Sequence, residues 1–226
     1  MSLRWLDHWL GPCIRQIPST GYLAPRIYLT FDDGPTPQAT EGVLEMLKRH
    51  EAFATFFLVA QKAKRHQSLT RRIVNEGHSI GNHSLDHRYR TFFASDAAMT
   101  NWILESQSSL TESVGQTPIG FRSPAGVRTP PLHRALKSLN IPLIHWGFRF
   151  YDTRFLWTYD RAVRSLDHTV DGQIVLLHDS HHGDRGERFL RTLNGYLGEA
   201  RSRGFEFFAL TSSDVARASG ECSHSH

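Results

Sequence analysis

Short apolar runs alternate with amphipathic stretches along most of the chain. Several of the runs are continuous rather than alternating, which is typical of parallel strands covered on both faces. They occupy seven segments: Arg26–Phe31, Ala54–Val59, His78–Gly81, Gly120–Arg122, Pro142–Phe148, Gln173–Leu177 and Phe205–Leu210. Helical spacing covers six segments between them: Thr40–His50, Leu69–Glu76, Ser95–Val114, Pro131–Leu139, Arg161–Val170 and Arg188–Arg203. This alternation predicts an α/β fold, either a barrel or a doubly wound sheet.

The chain is long enough for one domain with a sizeable core. Its 226 residues contain no internal repeat and no linker-like stretch. We expect residues 1–25 to form an extension that packs on the domain, residues 26–213 to form the domain, and residues 214–226 to form a flexible tail. Five apolar residues of the extension share one face of a short helix, which we expect to pack on the domain: Leu3, Trp5, Leu6, Trp9 and Leu10.

Composition and charge narrow the possible partners. With 39% hydrophobic and 21% charged residues and no long apolar run, the chain resembles ordinary globular proteins, and we expect no transmembrane segment. The formal charge of +4 favours an anionic or neutral partner and does not indicate nucleic acid. No secretory signal is visible, which predicts a cytoplasmic protein, or an envelope or periplasmic one if a leader was removed. Cys13 and Cys222 are expected to be free thiols.

Two adjacent carboxylates end the first predicted strand. Asp32 and Asp33 follow its apolar run and precede Gly34 and Pro35. The backbone turns where a strand ends, so both side chains can face one pocket. Two carboxylates that close repel each other, and one tends to keep its proton unless a cation compensates them. The pair therefore indicates a cation site.

A second set of candidate ligands follows the third predicted strand. His83 and His87 are four residues apart, a spacing that places both imidazoles on one face of a helical turn. Together with Asp33 they would supply three protein ligands and leave an open position, as catalytic zinc sites do. A single pair of this kind among 14 histidines is more often structural, but the paired aspartates favour the metal interpretation.

Further polar residues fall at the carboxyl ends of predicted strands. Arg122 ends the fourth strand, and His178 and Asp179 follow the sixth. Parallel α/β folds build their sites at this edge of the sheet. We therefore expect these side chains to join the carboxylates and imidazoles in one site.

With these residues assembled, the chain resembles the polysaccharide deacetylase family, carbohydrate esterase family four, over about residues 26–211. Four motifs of that family occur here in its order: Thr30–Pro35, His83–His87, Arg122–Gly126 and Leu176–His178. The resemblance implies a distorted (β/α) barrel of about seven parallel strands, with the active site at their C-terminal ends. It also implies that Asp33, His83 and His87 bind a divalent metal, zinc in most relatives, with cobalt, nickel or manganese as alternatives.

The resemblance implies catalytic roles for the other matching residues. Asp32 would be the general base that takes a proton from water, and His178 the general acid that protonates the departing amine. Arg122 would pair with Asp32 and orient it. The backbone N–H of Ala125 would stabilise the oxyanion, with Pro124 beside it in the substrate groove.

The chain departs from the family in two motifs. The fourth motif of the family reads D-x-x-D-W. In this chain Arg149 stands at the first Asp, Asp152 at the second Asp and Thr153 at the Trp. Asp152 would therefore keep its role of tuning the proton affinity of His178. In the third motif an aromatic residue commonly stands where this chain has Ala125. Other aromatics can replace the missing groove walls, and we assign Trp146 first; the remaining candidates are Phe148, Phe150, Tyr151 and Trp157. His181 and His182 are expected to be solvated loop residues.

These features predict a metal-dependent hydrolase that removes N-acetyl groups from N-acetylglucosamine units of a peptidoglycan-like or chitin-like glycan. One alternative is an O-acetyl esterase acting on a polysaccharide such as xylan, because the same chemistry suffices. Comparing acetate release from amides and from esters separates the two. Another alternative is a carbohydrate-binding relative that has lost catalysis, which would bind glycans without turnover.

Overall fold

A parallel sheet organises the chain. The computed structural model describes residues 5–19, 21 and 24–222. Its six strands are β1 (Arg26–Asp32), β2 (Ala54–Leu58), β3 (Ser79–Asn82), β4 (Phe148–Arg149), β5 (Gln173–His178) and β6 (Glu206–Phe207). The strand order is β3-β2-β1-β5-β4, with β6 paired to the start of β1, and all pairings between these strands are parallel.

Nine helices in the described part of the chain flank this sheet. They are α1 (Trp5–Leu10), α2 (Ala39–Arg49), α3 (Ala60–Arg65), α4 (Gln67–Asn75), α5 (Asp96–Val114), α6 (Pro130–Ser138), α7 (Tyr159–Ser165), α8 (Gly183–Ser202) and α9 (Ser212–Cys222). Side-chain caps begin two of them: Ser95 accepts from an N–H of α5, and Thr129 accepts from an N–H of α6. The six predicted helices all occur, with shifted ends, whereas α3 was not predicted because its six residues are too short for a periodic pattern.

β1 is buried on both faces, which explains its continuous apolar run. Leu29 and Phe31 pack outward in a core cluster that includes residues of α2 and α8. Tyr28 points to the opposite face and packs with Phe57 and Ile174 inside the barrel. Alternate side chains of one strand therefore enter two different cores.

Single-residue bridges close the sheet into a distorted barrel. Asn82, at the end of β3, pairs with Phe121, and Phe121 pairs with Leu143, a few residues before β4. This confirms the predicted α/β barrel, with six strands where we expected about seven. The predicted strands around Phe121 and Leu143 are reduced to bridges, since Pro142 beside them has no N–H to donate to a ladder.

The segment before β1 contacts the domain. Asp7 in α1 accepts hydrogen bonds from Arg15 and from Arg128, and Ile14 forms a bridge with Ile144. Trp9 was expected on the packed face but is 79% exposed, which corrects that assignment. Leu3 and the side chains of Trp5 and Leu6 lie outside the described residues.

The chain after residue 214 differs from the expected flexible tail. Ser212–Cys222 forms α9, and Val215 and Ala218 are buried against the barrel core. Because these two residues are three apart, they share the helix face that packs inward. Residues 223–226 and the side chain of Cys222 lie outside what the structure describes, while Cys13 is a buried free thiol. Among residues 5–19, 21 and 24–222, no helix combines the length and apolar character that a membrane crossing requires.

Candidate metal centre and catalytic groups

The site lies where β1, β3 and β5 end. Asp32 and His178 are the last residues of β1 and β5, and the parallel register places them directly opposite each other. Asn82 ends β3, and His83 follows it. All three strands point the same way, so their polar terminal residues converge at one edge of the sheet, as predicted.

Asp33, His83 and His87 form a compact cluster at this edge. Oδ1 of Asp33 lies 3.4 Å from Nε2 of His83 and 3.1 Å from Nε2 of His87. One potential ligand atom from each residue lies within 4.8 Å of the other two. Two donors that each lie about 2.1 Å from one ion at the tetrahedral angle are about 3.4 Å apart. The spacing of the cluster therefore suits a single cation.

The backbone after β3 is a set of tight turns and not the helical turn we predicted. Ser84 and His87 have φ values of 80° and 61°, outside the helical region. Oδ1 of Asn82 accepts from the Ser84 N–H, and Oγ of Ser84 accepts from the His87 N–H. These side-chain hydrogen bonds compete with helix formation and curl the chain. The two imidazoles thus converge through turn geometry, with ring centroids 5.3 Å apart.

A sharp turn brings both carboxylates of the aspartate pair to the same pocket. Asp33 has a left-handed φ of 77°, which ends the alternation of the strand. Oδ2 of Asp32 consequently lies 3.9 Å from Nε2 of His83, the same nitrogen that faces Asp33. Burial raises the pKa of Asp33, but its hydrogen bonds with His83 and His87 outweigh burial and hold that pKa well below its usual range.

Gly34 allows this turn to pack directly against Asp179. A Cβ atom at Gly34 would overlap the Asp179 carboxylate, which is 1% exposed and accepts a hydrogen bond from Thr40. Burial raises the pKa of Asp179 to about 7, although the Thr40 hydrogen bond opposes the shift. Asp179 was predicted to lie at this edge without a role, and it supports the loop that carries Asp33.

Arg122 is a fully buried cation beside Asp32. Its Nη1 donates to Oδ1 of Asp32 at 2.8 Å and to Oγ1 of Thr30 at 2.6 Å. Its guanidinium carbon lies 3.8 Å from the ring centroid of Phe57. A buried charge needs an opposite charge and satisfied donors, and Arg122 has both. The expected pairing of Arg122 with Asp32 is present.

Arg122 also orients one of the imidazoles through its backbone. Nδ1 of His83 lies 2.8 Å from the carbonyl oxygen of Arg122. A carbonyl oxygen only accepts, so Nδ1 carries a proton, and Nε2, which faces Asp33, is the nitrogen that would bind a metal. A proton held on Nδ1 suits a histidine that binds a metal through Nε2.

Asp152 holds His178 through two hydrogen bonds. Nδ1 of His178 lies 3.0 Å from Oδ1 of Asp152, and the backbone N–H of His178 donates to Oδ2 at 2.9 Å. Burial lowers the pKa of His178, but the hydrogen bond and charge of Asp152 outweigh burial and raise it to about 9. Burial raises the pKa of Asp152, but His178 and His181 lower it to about 2. The two residues therefore form a charged pair at neutral pH.

His181 belongs to the same network, and the expectation that it is solvated was wrong. It is 8% exposed, and its Nε2 lies 2.9 Å from Oδ2 of Asp152. The contact joins residues 29 positions apart, and no local pattern around His181 signals it. His182 is exposed, as expected.

Trp146 lies against the turn that carries Pro124 and Ala125. This turn spans Pro124–Gly126, and Ala125 has a left-handed φ of 52°. A Cβ atom at Gly126 would lie 2.9 Å from the Trp146 ring, so the ring and the turn are in close contact. Of the other aromatics considered for the groove, Phe150 and Trp157 belong to the core, whereas Tyr151 is partly exposed.

A cavity of about 220 Å³ adjoins this site. It lies between the first two turns of α2 and of α8 and reaches His178 and Asp179. Its other walls include Gln38, Ala39, Val43, His182, Glu187 and Leu190. A group bound there would touch the same end of β5 as the His178 imidazole.

Comparisons with known proteins agree with this geometry. A family model described as polysaccharide deacetylase matches residues 22–144. The chain is 34% identical over 189 residues to the peptidoglycan-N-acetylglucosamine deacetylase PgdA of Listeria monocytogenes, which covers 82% of this chain and 38% of the relative. It is 31% identical over 208 residues to a peptidoglycan-N-acetylglucosamine deacetylase of Bacillus cereus, which covers 87% of this chain and 95% of the relative.

A solved structure shows the same architecture. The family 4 acetyl xylan esterase from Clostridium thermocellum, in complex with a cobalt ion, superposes with a TM-score of 0.72 at 30% identity. The superposition covers 81% of this chain and 87% of that one. By contrast, the chain spans only 38% of the length of the Listeria relative.

Proposed function

We propose a function for this chain, which belongs to the polysaccharide deacetylase family. It is a hydrolase that removes N-acetyl groups from N-acetylglucosamine units of a glycan, and it uses a divalent cation to do so. The observation that carries the proposal is the cluster of Asp33, His83 and His87, flanked by Asp32 and facing His178 across paired strands. The Bacillus cereus relative, matched over almost its full length, has a name that describes this activity.

Asp33, His83 and His87 would hold the cation. One carboxylate and two imidazoles suit zinc, with cobalt, nickel and manganese as alternatives, and three protein ligands leave a position open. The protonated Nδ1 of His83, held by the Arg122 carbonyl, supports this assignment because it frees Nε2. When bound, such a cation lowers the pKa of a water molecule and polarises the acetyl carbonyl.

Asp32 would take the proton from the attacking water. Its Oδ1 is engaged by Arg122, whereas its Oδ2 faces His83 and the ligand cluster. Oδ2 is thus the oxygen available to act as the base. Arg122 cannot lose its own proton and fixes the direction of the carboxylate through a charge-assisted hydrogen bond.

His178 would protonate the departing amine. Its Nδ1 is bound to Asp152, so Nε2 is the nitrogen that can donate. A pKa of about 9 keeps the imidazole protonated at neutral pH, as a general acid requires. Because His178 lies opposite Asp32 in the parallel register, the acid and the base stand on neighbouring strands.

The turn carrying Ala125 would complete the site. We assign its backbone N–H to the oxyanion that forms when water adds to the acetyl carbonyl. Pro124 and Trp146 would wall the groove beside it, since the Trp146 ring packs on this turn. The side chain of Ala125 is small and leaves space at this wall of the groove. This space would affect which substrate is preferred and would leave the hydrolytic groups unchanged.

Acetate release tests the proposal. The zinc-loaded protein is incubated with chitooligosaccharides and with peptidoglycan fragments, and acetate is quantified. We expect release from at least one glycan, loss of release after chelation, and recovery when zinc is restored. Lack of acetate from every glycan, with bound metal confirmed by elemental analysis, would overturn the proposal.

A second candidate, hydrolysis of O-acetyl esters, follows from the similarity to the acetyl xylan esterase. Esters need less protonation of the leaving group than amides do, so the two reactions depend differently on His178. We expect His178→Ala to reduce amide hydrolysis more than ester hydrolysis. If only esters release acetate and His178→Ala has little effect, the esterase assignment replaces the deacetylase one. Glycan binding without any turnover would instead identify a binding protein.

A further inference from the structure

Arg149 presents an ordered, exposed guanidinium near the proposed catalytic groups. It is the second residue of β4, and the register pairs it with Leu176, two residues before His178. Its guanidinium carbon lies 4.0 Å from the ring centroid of Tyr151, and its Nη2 donates to the Tyr151 hydroxyl at 2.8 Å. The side chain is thus held in one orientation although it faces solvent.

Trp146 connects this cation to the proposed substrate groove. The Arg149 guanidinium lies 5.8 Å from the centroid of the Trp146 ring. The same ring packs on the turn that carries Ala125, through its close approach to Gly126. A single aromatic side chain therefore separates Arg149 from the proposed oxyanion position. At this separation, Arg149 can reach a sugar next to the one that loses its acetyl group.

Arg149 forms no ion pair with any described carboxylate; several other solvent-facing arginines do form one, and others, such as Arg154, do not. Arg72, Arg134 and Arg203 are each paired with an aspartate or a glutamate. The acid nearest to Arg149 along the chain, Asp152, is already engaged by two histidines. With only Nη2 used by Tyr151, the remaining N–H groups of Arg149 are left to bind a group from outside the chain.

We propose that Arg149 binds a carboxylate of the glycan, so that the preferred substrate is an anionic N-acetylated glycan rather than a neutral one. A guanidinium offers paired donors that match a carboxylate, and its contact with Tyr151 reduces the ordering that binding would otherwise require. The inference rests on the proposed function and narrows its substrate class to glycans such as those with muramic acid, whose lactyl group carries a carboxylate.

Matched glycans that differ only in charge test this inference. We would compare a tetrasaccharide of alternating N-acetylglucosamine and N-acetylmuramic acid with the same compound converted to neutral methyl amides. Chitotetraose serves as a second neutral glycan, and a muropeptide with a peptide stem shows whether a stem carboxylate binds instead. Binding is measured by calorimetry on the metal-free protein, and KM and kcat for acetate release are measured on the zinc-loaded protein.

Arg149→Gln is expected to act on the charged glycans alone. Removing one charge-assisted pair should weaken binding of the acidic tetrasaccharide and raise its KM about 10-fold, with kcat unchanged. Binding of the methyl amide and of chitotetraose should stay within about 2-fold. Arg149→Lys should recover part of the loss, because it keeps the charge but not the paired donors. Arg154→Gln, an equal charge change at a neighbouring exposed arginine, is the control and should leave all constants unchanged.

Three outcomes would overturn the inference. The wild-type protein could bind the acidic tetrasaccharide no better than its methyl amide. Arg149→Gln could weaken charged and neutral glycans equally, which would assign Arg149 a structural role in supporting Trp146 and Tyr151. Arg154→Gln could match Arg149→Gln, which would indicate a diffuse charge effect. Failure of the proposed function looks different, since no glycan would release acetate while the calorimetric comparison would still decide whether Arg149 recognises a carboxylate.

Discussion

Nδ1 of His178 lies 3.0 Å from Oδ1 of Asp152, and the backbone N–H of His178 donates to the second oxygen of the same carboxylate. Both oxygens are thus used, and His181 shares one of them. Asp152 and His178 are both ionised over a wide pH range, because the pKa of Asp152 is lowered to about 2 and that of His178 is raised to about 9. Protonation of His178 at neutral pH therefore depends on Asp152.

Replacing Asp152 should shift the pH dependence of the reaction. In Asp152→Asn, burial still lowers the pKa of His178 and the charges of Asp32 and Asp33 still raise it, but the Asp152 carboxylate is gone, so that pKa should fall from about 9 toward the ordinary imidazole value of about 6.5. The basic limb of the kcat/KM profile should move to lower pH by the same amount. Asp160→Asn, at an exposed aspartate of α7, is the control. An unchanged basic limb would show that His178 is not the proton donor.

The same pair should tie folding stability to pH. The pKa of Asp152 is lowered in the folded protein. The stabilisation that Asp152 gives to the fold is therefore fully present above about pH 3.9 and is lost as the pH falls through about 2. The pKa of His178 is raised in the folded protein. The stabilisation that His178 gives to the fold is therefore complete below about pH 6.5 and is lost as the pH rises through about 9. Urea unfolding should therefore show the largest deficit of Asp152→Asn, about 2 kcal/mol, between about pH 4 and 6.5. A deficit that does not change from pH 5.5 to 9.5 would contradict this linkage.

Removing a proposed ligand should abolish tight metal binding. Asp33→Ala and His83→Ala each leave two ligands in the cluster, and we expect zinc affinity to fall by more than the roughly 100-fold that loss of an outer partner can cause. Calorimetric zinc titration measures the effect directly. His182→Ala, at an exposed histidine close in sequence to His178, is the control for nonspecific binding by imidazole. Wild-type affinity in both ligand variants would place the metal elsewhere.

Replacing the proposed base should separate metal binding from turnover. Asp32→Asn keeps the shape of the side chain and leaves Asp33, His83 and His87 in place. We expect zinc affinity within about 10-fold of wild type and a loss of turnover of about 10²–10⁴-fold, the usual contribution of general base catalysis. Full activity in Asp32→Asn would assign the proton transfer to another group.

The close packing of Gly34 on Asp179 should make this position intolerant of a side chain. Gly34→Ala introduces a methyl group where the Asp179 carboxylate lies, and the turn that carries Asp33 must shift. We expect lower thermal stability and weaker zinc binding, with partial recovery in Gly34→Ala/Asp179→Ala because the smaller side chain makes room. Gly198→Ala, at a helical glycine where an added Cβ would make only an ordinary contact of 3.5 Å with the His50 ring, should be neutral or stabilise by up to about 1 kcal/mol. Normal zinc binding by Gly34→Ala would show that the turn adapts without moving Asp33.

Local patterns predicted the elements whose burial is uniform. β1, β2 and β5 stand near their predicted positions because both faces of a central parallel strand are covered, which leaves a continuous apolar run. The pattern failed at Phe121 and Leu143, where prolines and single bridges replace a ladder. It also failed after residue 214, because α9 is ordered by packing against the barrel, which a polar tail sequence does not reveal.

The sequence by itself determined which groups stand at the ends of the strands, since the order Asp32, Asp33, His83, Arg122 and His178 follows from the alternation of apolar runs and polar breaks. Only the tertiary structure decided how these groups meet. The imidazoles of His83 and His87 converge through side-chain turns, and Asp152 reaches His178 and His181 across the loop between β4 and β5. The physical reason is range: hydrophobic periodicity reports burial within a few residues, whereas hydrogen bonds between segments 26 or 29 residues apart depend on how the whole barrel closes.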